Sequence, residues 1–372
     1  MIRVVIAGGG TGGHLYPGVA VARELLRRRP DAVVTFAGTS RGLEARLVPK
    51  EGFELDVIRS VGLKGRSRIA ALRGLATVPV SMVDAWALLS RRRPHVVIGV
   101  GGYSSGPVVL AAAMRGIPTM VLEQNAMPGL TNRQLARVVR AAALTYDDVG
   151  NYFGRRGFVT GNPVRPEFLV QNQNQNQNPN QNPGTPEPRN PGTPRSLLIL
   201  GGSQGAHAIN MAMVAAAAEL DRRHPGIKIV HQTGERDLAD VREKYRLAGI
   251  SARAESFLDG VAGEMTAADL VICRAGATTL AELAALGRPA VLVPFAAATD
   301  DHQKKNAHVL VLGGAAEMIE ERALTPEHLA TVIERLLSDE ARLAAMVVAM
   351  RTFARPDAAA RIVDRLTELA AA

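Results

Sequence analysis

The sequence predicts an α/β protein of two Rossmann-like lobes, each a doubly wound parallel sheet. Three observations predict it. A β-branched run, a glycine loop and an amphipathic helix follow one another at the amino terminus. The same succession recurs near residue 197. Between the two lies a Gln/Asn- and then Pro/Gly/Thr-rich stretch, residues 171–194, that offers nothing to a core.

In the first lobe, Ile2-Arg3-Val4-Val5-Ile6-Ala7 has the composition of a buried strand. Gly8-Gly9-Gly10-Thr11-Gly12-Gly13-His14 follows, and residues 17–28 read as a helix with Val19, Ala22, Leu25 and Leu26 on one face. Strand, glycine loop and helix make an anion site. Glycine lets backbone approach a phosphate, and the helix start supplies N–H groups and the positive end of its dipole. Gly8, Gly10 and Gly13 also match the dinucleotide fingerprint. However, the next strand, Val33-Val34-Thr35-Phe36-Ala37-Gly38, ends in Thr39-Ser40, where a nicotinamide enzyme needs an acid for the ribose.

Residues 62–93 interleave basic and apolar side chains. Lys64, Arg66, Arg68 and Arg73 alternate with Leu63, Ile69, Leu72 and Leu75. Beyond Pro79 come Val80, Val83, Trp86, Leu88 and Leu89, then Arg91-Arg92-Arg93. Two readings stand: amphipathic core helices with solvated ends, or a patch that rests on an anionic membrane. Residues 95–101 form a further strand before a second glycine loop, Gly101-Gly102-Tyr103-Ser104-Ser105-Gly106, with Pro107 at a helix start. The charge-free stretch 94–114 is cut by that loop and is therefore no membrane span. Residues 118–122 are a strand ending in Glu123-Gln124-Asn125, polar residues where a ligand crevice would lie.

The second lobe opens with Leu197-Leu198-Ile199-Leu200, then Gly201-Gly202-Ser203-Gln204-Gly205, then a helix from Ala206. Strands follow near residues 228–231, 270–273 and 290–294, and a helix starts at Thr279. Thr279 and Glu282 have capping-box spacing, so Glu282 either caps that helix or holds a ribose. Asp300-Asp301-His302-Gln303 has no second group at ligand spacing, and no metal is expected. The tail from Pro356 reads as a helix. Similar lobes imply a ligand cleft between them.

Composition bounds the rest. The 372 residues suffice for two cores, and 47% apolar with 21% charged residues is ordinary for a globular chain. Cys273 is the single cysteine, which excludes an intrachain disulfide and fits a reducing compartment. Its apolar surroundings mark it as a small buried hydrophobe. The apolar run after Arg3 is too short for a signal peptide. A net charge of +9 and a pI near 10.2 admit nucleic acid, anionic membrane or phosphorylated substrates as partners. Few aromatics, and no zinc-finger or RNA-recognition spacing, weigh against nucleic acid.

The segments AGGGTGGHLYPGVAVA, GGYSSGP, LEQNAMPGLTNR, GNPVR, GGSQGA, CRAGATTLAELAALGRPAVLVPF and DDHQKKNA occur in that order. In combination they resemble the MurG family of peptidoglycan glycosyltransferases, which add N-acetylglucosamine to undecaprenyl-pyrophosphoryl-N-acetylmuramyl-pentapeptide (lipid I to lipid II). The segments span nearly the whole chain; the Gln/Asn stretch is the main departure. The resemblance implies a GT-B fold: an acceptor- and membrane-side lobe (1–164), a hinge and linker (165–195), a donor-side lobe (196–353) and a carboxy-terminal helix (354–372) returning to the first lobe. It implies inverting transfer from UDP-N-acetylglucosamine to the acceptor's C4 hydroxyl, without cofactor or metal, at the cytoplasmic face of the membrane. For the donor it implies Ser203 and Arg165 on the diphosphate, the Leu258 backbone on uracil, and Ala277, Thr278, Thr279, Leu280, Ala281 and Glu282 along the nucleotide, Glu282 on the ribose. Gln303 and Asn125 would contact the sugar, and Thr11, Gly12 and Gly13 would close the site. The two glycine loops of the first lobe, with Gly102, Tyr103, Ser104 and Ser105, would take the acceptor's pyrophosphate.

The chemistry agrees with that resemblance. The acceptor hydroxyl must lose a proton, and UDP must leave with negative charge, which Arg165 and the second loop's helix start can stabilise. His14 lies at a helix start, where the dipole disfavours imidazolium and keeps a base neutral. Its alternative is a loop histidine that orders the turn, with Glu123 as the reserve base. The rivals are a UDP-N-acetylglucosamine 2-epimerase-like enzyme and a basic, non-catalytic nucleotide or nucleic-acid binder.

Overall fold

The computed structural model describes residues 1–60, 77–169, 193–202 and 205–371, with Thr299 described in its backbone alone. Ser203, residues 62–76 of the basic-apolar stretch and most of the 171–194 segment lie outside the described residues. The chain divides into two compact units, Met1–Arg165 with Arg355–Ala372, and Pro166–Ala354.

The first unit is built on seven strands: β1 (Arg3–Gly8), β2 (Val33–Gly38), β3 (Glu54–Val57), β4 (Val96–Gly101), β5 (Thr119–Glu123), β6 (Ala141–Leu144) and β7 (Gly157–Val159). All pairings are parallel, in the order β3-β2-β1-β4-β5-β6-β7. Both faces are covered, and the strands alternate between them. Val4 and Ile6 join one apolar cluster with α1 (Gly12–Arg28). Val5 and Ala7 join another with α3 (Val78–Arg92) and α4 (Ser105–Met114). Between β2 and β3 lies α2 (Glu44–Lys50).

Helix α1 starts five residues earlier than the sequence reading, at Gly12, with Thr11 as N-cap and Pro17 in its second turn. Two glycines lower local helix propensity and hide that start from a pattern argument. The carboxy-terminal helix, Ala358–Ala371, lays Ile362, Val363, Leu366 and Leu369 into the α1 cluster and so completes the first unit's core.

The second unit repeats the plan with β8 (Ser196–Leu200), β9 (Lys228–Gln232), β10 (Ala252–Glu255), β11 (Leu270–Cys273), β12 (Ala290–Leu292) and β13 (Ala316–Met318). The order is β10-β9-β8-β11-β12-β13, again all parallel. Leu197, Ile199, Leu270 and Ile272 pack with Ile209, Met213, Ala217 and Leu220 of the helix His207–Arg223. Cys273 is buried in β11, and burial pushes its thiol up to about 12, so it stays protonated. Both units are Rossmann-like, as predicted. Strands β3, β6, β7, β10 and β13 have three or four residues each and carry no periodicity that a sequence reading could detect.

The two readings of residues 77–93 divide along α3. Leu88 and Leu89 are core, whereas Val83 and Trp86 are 66% and 45% exposed. Among the described residues, no helix is long and apolar enough to cross a membrane.

Candidate active site

In each unit the chain leaves two neighbouring strands, β1 and β4 or β8 and β11, toward opposite sides of the sheet. Ligands of doubly wound folds bind outside the carboxyl ends of such strands. In the first unit a register shift at Ala7/Gly8 sets Gly8 opposite Gly101. Gly102 has φ +79°, and a Cβ there would lie 2.3 Å from the Gly9 carbonyl oxygen. The two glycine loops therefore touch through backbone, which side chains would prevent.

This brings residues 9–14 beside residues 101–103. Thr11 and Gly13 are exposed, Gly12 is half-buried, and Tyr103 lies near Gly10. His14 sits in the first turn of α1 with its Nδ1 3.3 Å from Gln124 Oε1. The Gln124 amide donates to the Val100 carbonyl at 2.9 Å. Gly101, at φ +99°, lies against the imidazole; a Cβ there would come within 2.8 Å of Nδ1.

The first loop departs from expectation at Gly10. Its N–H donates at 2.9 Å to the chain's own Glu44, the first residue of α2. The other Glu44 oxygen accepts from the Thr39 N–H at 2.9 Å and the Thr39 hydroxyl at 2.7 Å. Gly9, Gly38 and Gly42 surround this fully buried carboxylate, and a Cβ on any of them would collide with it. The cradle that the sequence reading assigned to an acceptor phosphate thus holds an internal anion at that point. A carboxylate satisfies the same N–H groups a phosphate would.

Glu123 ends β5 and is buried. It accepts from the Asn125 N–H, the Gly129 N–H, and the side-chain amides of Asn132 and Asn125. Burial raises its pKa although these donors oppose the shift. Engaged on both oxygens, it shapes the loop that carries Gln124 and Asn125. Ser104 and Ser105 are fully buried at the start of α4, so Gly102 and Tyr103 are the solvent-facing part of that loop. Arg165 ends the first stretch of this unit, its guanidinium 4.3 Å over the Tyr16 ring.

In the second unit Ala277 to Glu282 form the first turns of the helix Ala277–Leu286, whose N-cap is Gly276. The capping-box reading of Glu282 therefore fails. Thr279 is the third helical residue, not the cap, and Glu282 is a buried carboxyl one turn further on. Thr278 and Leu280 are buried with it, while Thr279 and Ala281 are half-buried. The Leu258 N–H donates to the Gln232 side chain at 3.2 Å. Gln303 accepts from the Phe295 N–H at 2.9 Å. It follows Asp300 and Asp301, whose φ values of 55° and 53° put two consecutive non-glycine residues in the left-handed region, a strained entry to the helix His302–Leu312. Arg274 bridges the ends of β11 and β12: it donates to the Val293 and Pro294 carbonyls, pairs with Glu321 and lies over Phe295. Among the described residues no His/Cys/Asp/Glu group has metal-site geometry. The sequence reading missed Glu44, Gln232 and Arg274, and it set Gln124 beside the expected crevice without giving it a role. The cue for Gln124 was its place just past a strand end; the other three had none.

Comparison with known proteins places the chain in a family. Residues 4–144 match the glycosyltransferase family 28 N-terminal domain and residues 196–362 the glycosyltransferase family 28 C-terminal domain. A UDP-N-acetylglucosamine--N-acetylmuramyl-(pentapeptide) pyrophosphoryl-undecaprenol N-acetylglucosamine transferase of Anaeromyxobacter dehalogenans (strain 2CP-C) is 46% identical over 99% of this chain and 93% of its own length. The transferase of the same name from Myxococcus xanthus is 42% identical over the same shares. The crystal structure of Acinetobacter baumannii MurG superposes with TM-score 0.77 at 30% identity, covering 99% of this chain and all of that one. A Neisseria meningitidis UDP-GlcNAc 2-epimerase bound to UDP-GlcNAc reaches TM-score 0.69 over 99% of this chain and 100% of its own, but at 14% identity it shares the fold alone. The chain belongs to glycosyltransferase family 28, among its N-acetylglucosaminyl transferases of the MurG type.

Proposed function

We propose that this chain moves N-acetylglucosamine from UDP-N-acetylglucosamine to the C4 hydroxyl of undecaprenyl-pyrophosphoryl-N-acetylmuramyl-pentapeptide, in one displacement with inversion. The observation that carries the reading is identity above 40% across nearly the whole chain with transferases of that name. In the reaction, the acceptor oxygen attacks the anomeric carbon and loses its proton to His14. The bond from the anomeric carbon to the diphosphate oxygen breaks, and its electron pair leaves with UDP.

Donor roles follow the residues that match the family. Ser203, Arg165 and the start of the helix His207–Arg223 take the diphosphate, and the Leu258 backbone takes the uracil. Ala277, Thr278, Thr279, Leu280, Ala281 and Glu282 line the nucleotide, with Glu282 accepting from ribose hydroxyls. Gln303, Asn125, Thr11, Gly12 and Gly13 are the residues matched to contacts with the donor. Gly102 and Tyr103 are the accessible acceptor contacts. The exposed Val80, Val83, Trp86 and Met114, with Arg115 stacked 5.2 Å over Trp86, support rest on an anionic membrane at its cytoplasmic face.

Labelled sugar supplied on UDP with the lipid-linked acceptor in detergent tests the reading. Transfer is expected with the wild-type chain, and a loss of at least about 100-fold with a folded His14→Ala. Epimerised donor without transfer would mean the epimerase chemistry instead.

A further inference from the structure

The proton on His14 can be located from its neighbours. Gln124 is 2% exposed, so its amide exchanges neither end with bulk water. One end meets the Val100 carbonyl at 2.9 Å. A carbonyl only accepts, so the amide NH₂ is the end placed there. The amide oxygen then faces His14 Nδ1 at 3.3 Å, and an amide oxygen also only accepts. The hydrogen between them belongs to Nδ1. A neutral imidazole protonated on Nδ1 carries its lone pair on Nε2.

We infer that Gln124 is a positioning residue for the sugar transfer: pinned by the Val100 carbonyl, it locks His14 as the Nδ1–H tautomer and makes Nε2 the basic nitrogen. The inference rests on the reading of His14 as the base. Glu123, gripping Asn125, Gly129 and Asn132, holds the backbone on either side of Gln124. Gly101 lets the ring come close enough to bond. A neutral amide does this without adding negative charge beside a site that must admit two diphosphates.

The tautomer is read directly from long-range proton–nitrogen correlation spectra of histidine-¹⁵N-labelled chain at about pH 8.5, where an ordinary histidine is neutral. The His14 signals are those missing from His14→Ala. The wild type is expected to show a pyrrole-type Nδ1 and a pyridine-type Nε2. Gln124→Met keeps the bulk but not the acceptor. It should show mixed tautomers and lose about 10-fold or more in kcat with donor KM unchanged. Gln124→Glu, which restores an acceptor oxygen, should return the Nδ1–H signature and part of the rate. A wild-type ring protonated on Nε2, or full kcat in Gln124→Met, overturns the inference. If Gln124→Met fails to fold, the wild-type spectrum still decides. Full transfer by His14→Ala would instead remove the base reading, an outcome separate from where the proton sits.

Discussion

Two loops of nearly the same composition, residues 8–13 and 201–205, are filled in different ways. In the first, the carboxylate of Glu44 takes the Gly10 N–H and is walled in by Gly9, Gly38 and Gly42. In the second, among the described residues, no side-chain carboxylate accepts from the loop. Gly201 donates to the Gln232 carbonyl at 3.0 Å, and Gly205, at φ +77°, stands where a Cβ would be 2.5 Å from the Thr233 carbonyl oxygen. Beneath it lies a polar network. Asn210 donates to the Thr233 carbonyl and to Asp237, its oxygen faces His231 Nε2 at 3.0 Å, and His231 Nδ1 meets the Tyr245 hydroxyl at 2.9 Å. A glycine cradle is thus not a ligand site by itself. The first loop carries His14 against Gly101, and the start of the helix after the second is where the proposed reading puts the donor diphosphate.

The largest effect expected from breaking this contrast is in the first loop. Glu44→Ala strands the Gly10 N–H, the Thr39 N–H and the Thr39 hydroxyl, and should cost about 3 kcal/mol or more. Urea unfolding followed by Trp86, the one tryptophan and a member of the same unit, measures it. A loss below about 1 kcal/mol would mean that the carboxylate is not what fills the cradle.

Gly205→Ala comes next. A left-handed φ and a backbone collision should together cost about 2 kcal/mol and weaken UDP binding about 10-fold by calorimetry. Unchanged UDP affinity would detach the second loop from the donor.

The network under the second loop should respond to acid. Burial pushes His231 down to about 3 from its ordinary 6.5, against a smaller opposing pull from Asp237. The unfolded chain therefore binds this proton first as pH falls. The stability that depends on neutral His231 is complete above about pH 6.5 and should fall by about 1.4 kcal/mol per unit on the way down to about 3. His231→Gln should flatten that part of the pH–stability curve; an unaltered slope would assign it to other groups. The smallest change in stability, within about 0.5 kcal/mol, is expected for Val83→Ser with Trp86→Ser, since both side chains are exposed. The same pair should reduce cosedimentation with anionic vesicles, and undiminished binding would move the membrane surface elsewhere.

How legible these features were depends on sequence distance. The glycine loops, the long apolar strands and the start at Gly201 could be read because their signal is local. The role of Glu44 could not, because it reaches back 34 residues to Gly10. The capping-box alternative for Glu282 falls because spacing alone does not say where a helix starts; Gly276, with extended backbone, sets that start. Val83 and Leu88 look alike as letters on one helix. Only the packing of α3 against its unit separates an exposed side chain from a core one.

By itself, the sequence determined the class of fold, through β-branched runs, glycine turns and helical periodicity, and pointed to the family through the resemblance of its ordered segments from AGGGTGGHLYPGVAVA to DDHQKKNA. The tertiary structure decided which cradle holds the chain's own carboxylate, which serines are sealed in the core, and which histidine nitrogen carries the proton. The first and the last depend on a donor or acceptor brought in from a distant segment, and the serines are sealed by packing. A hydrogen bond is set by ångströms in space, not by spacing along the chain.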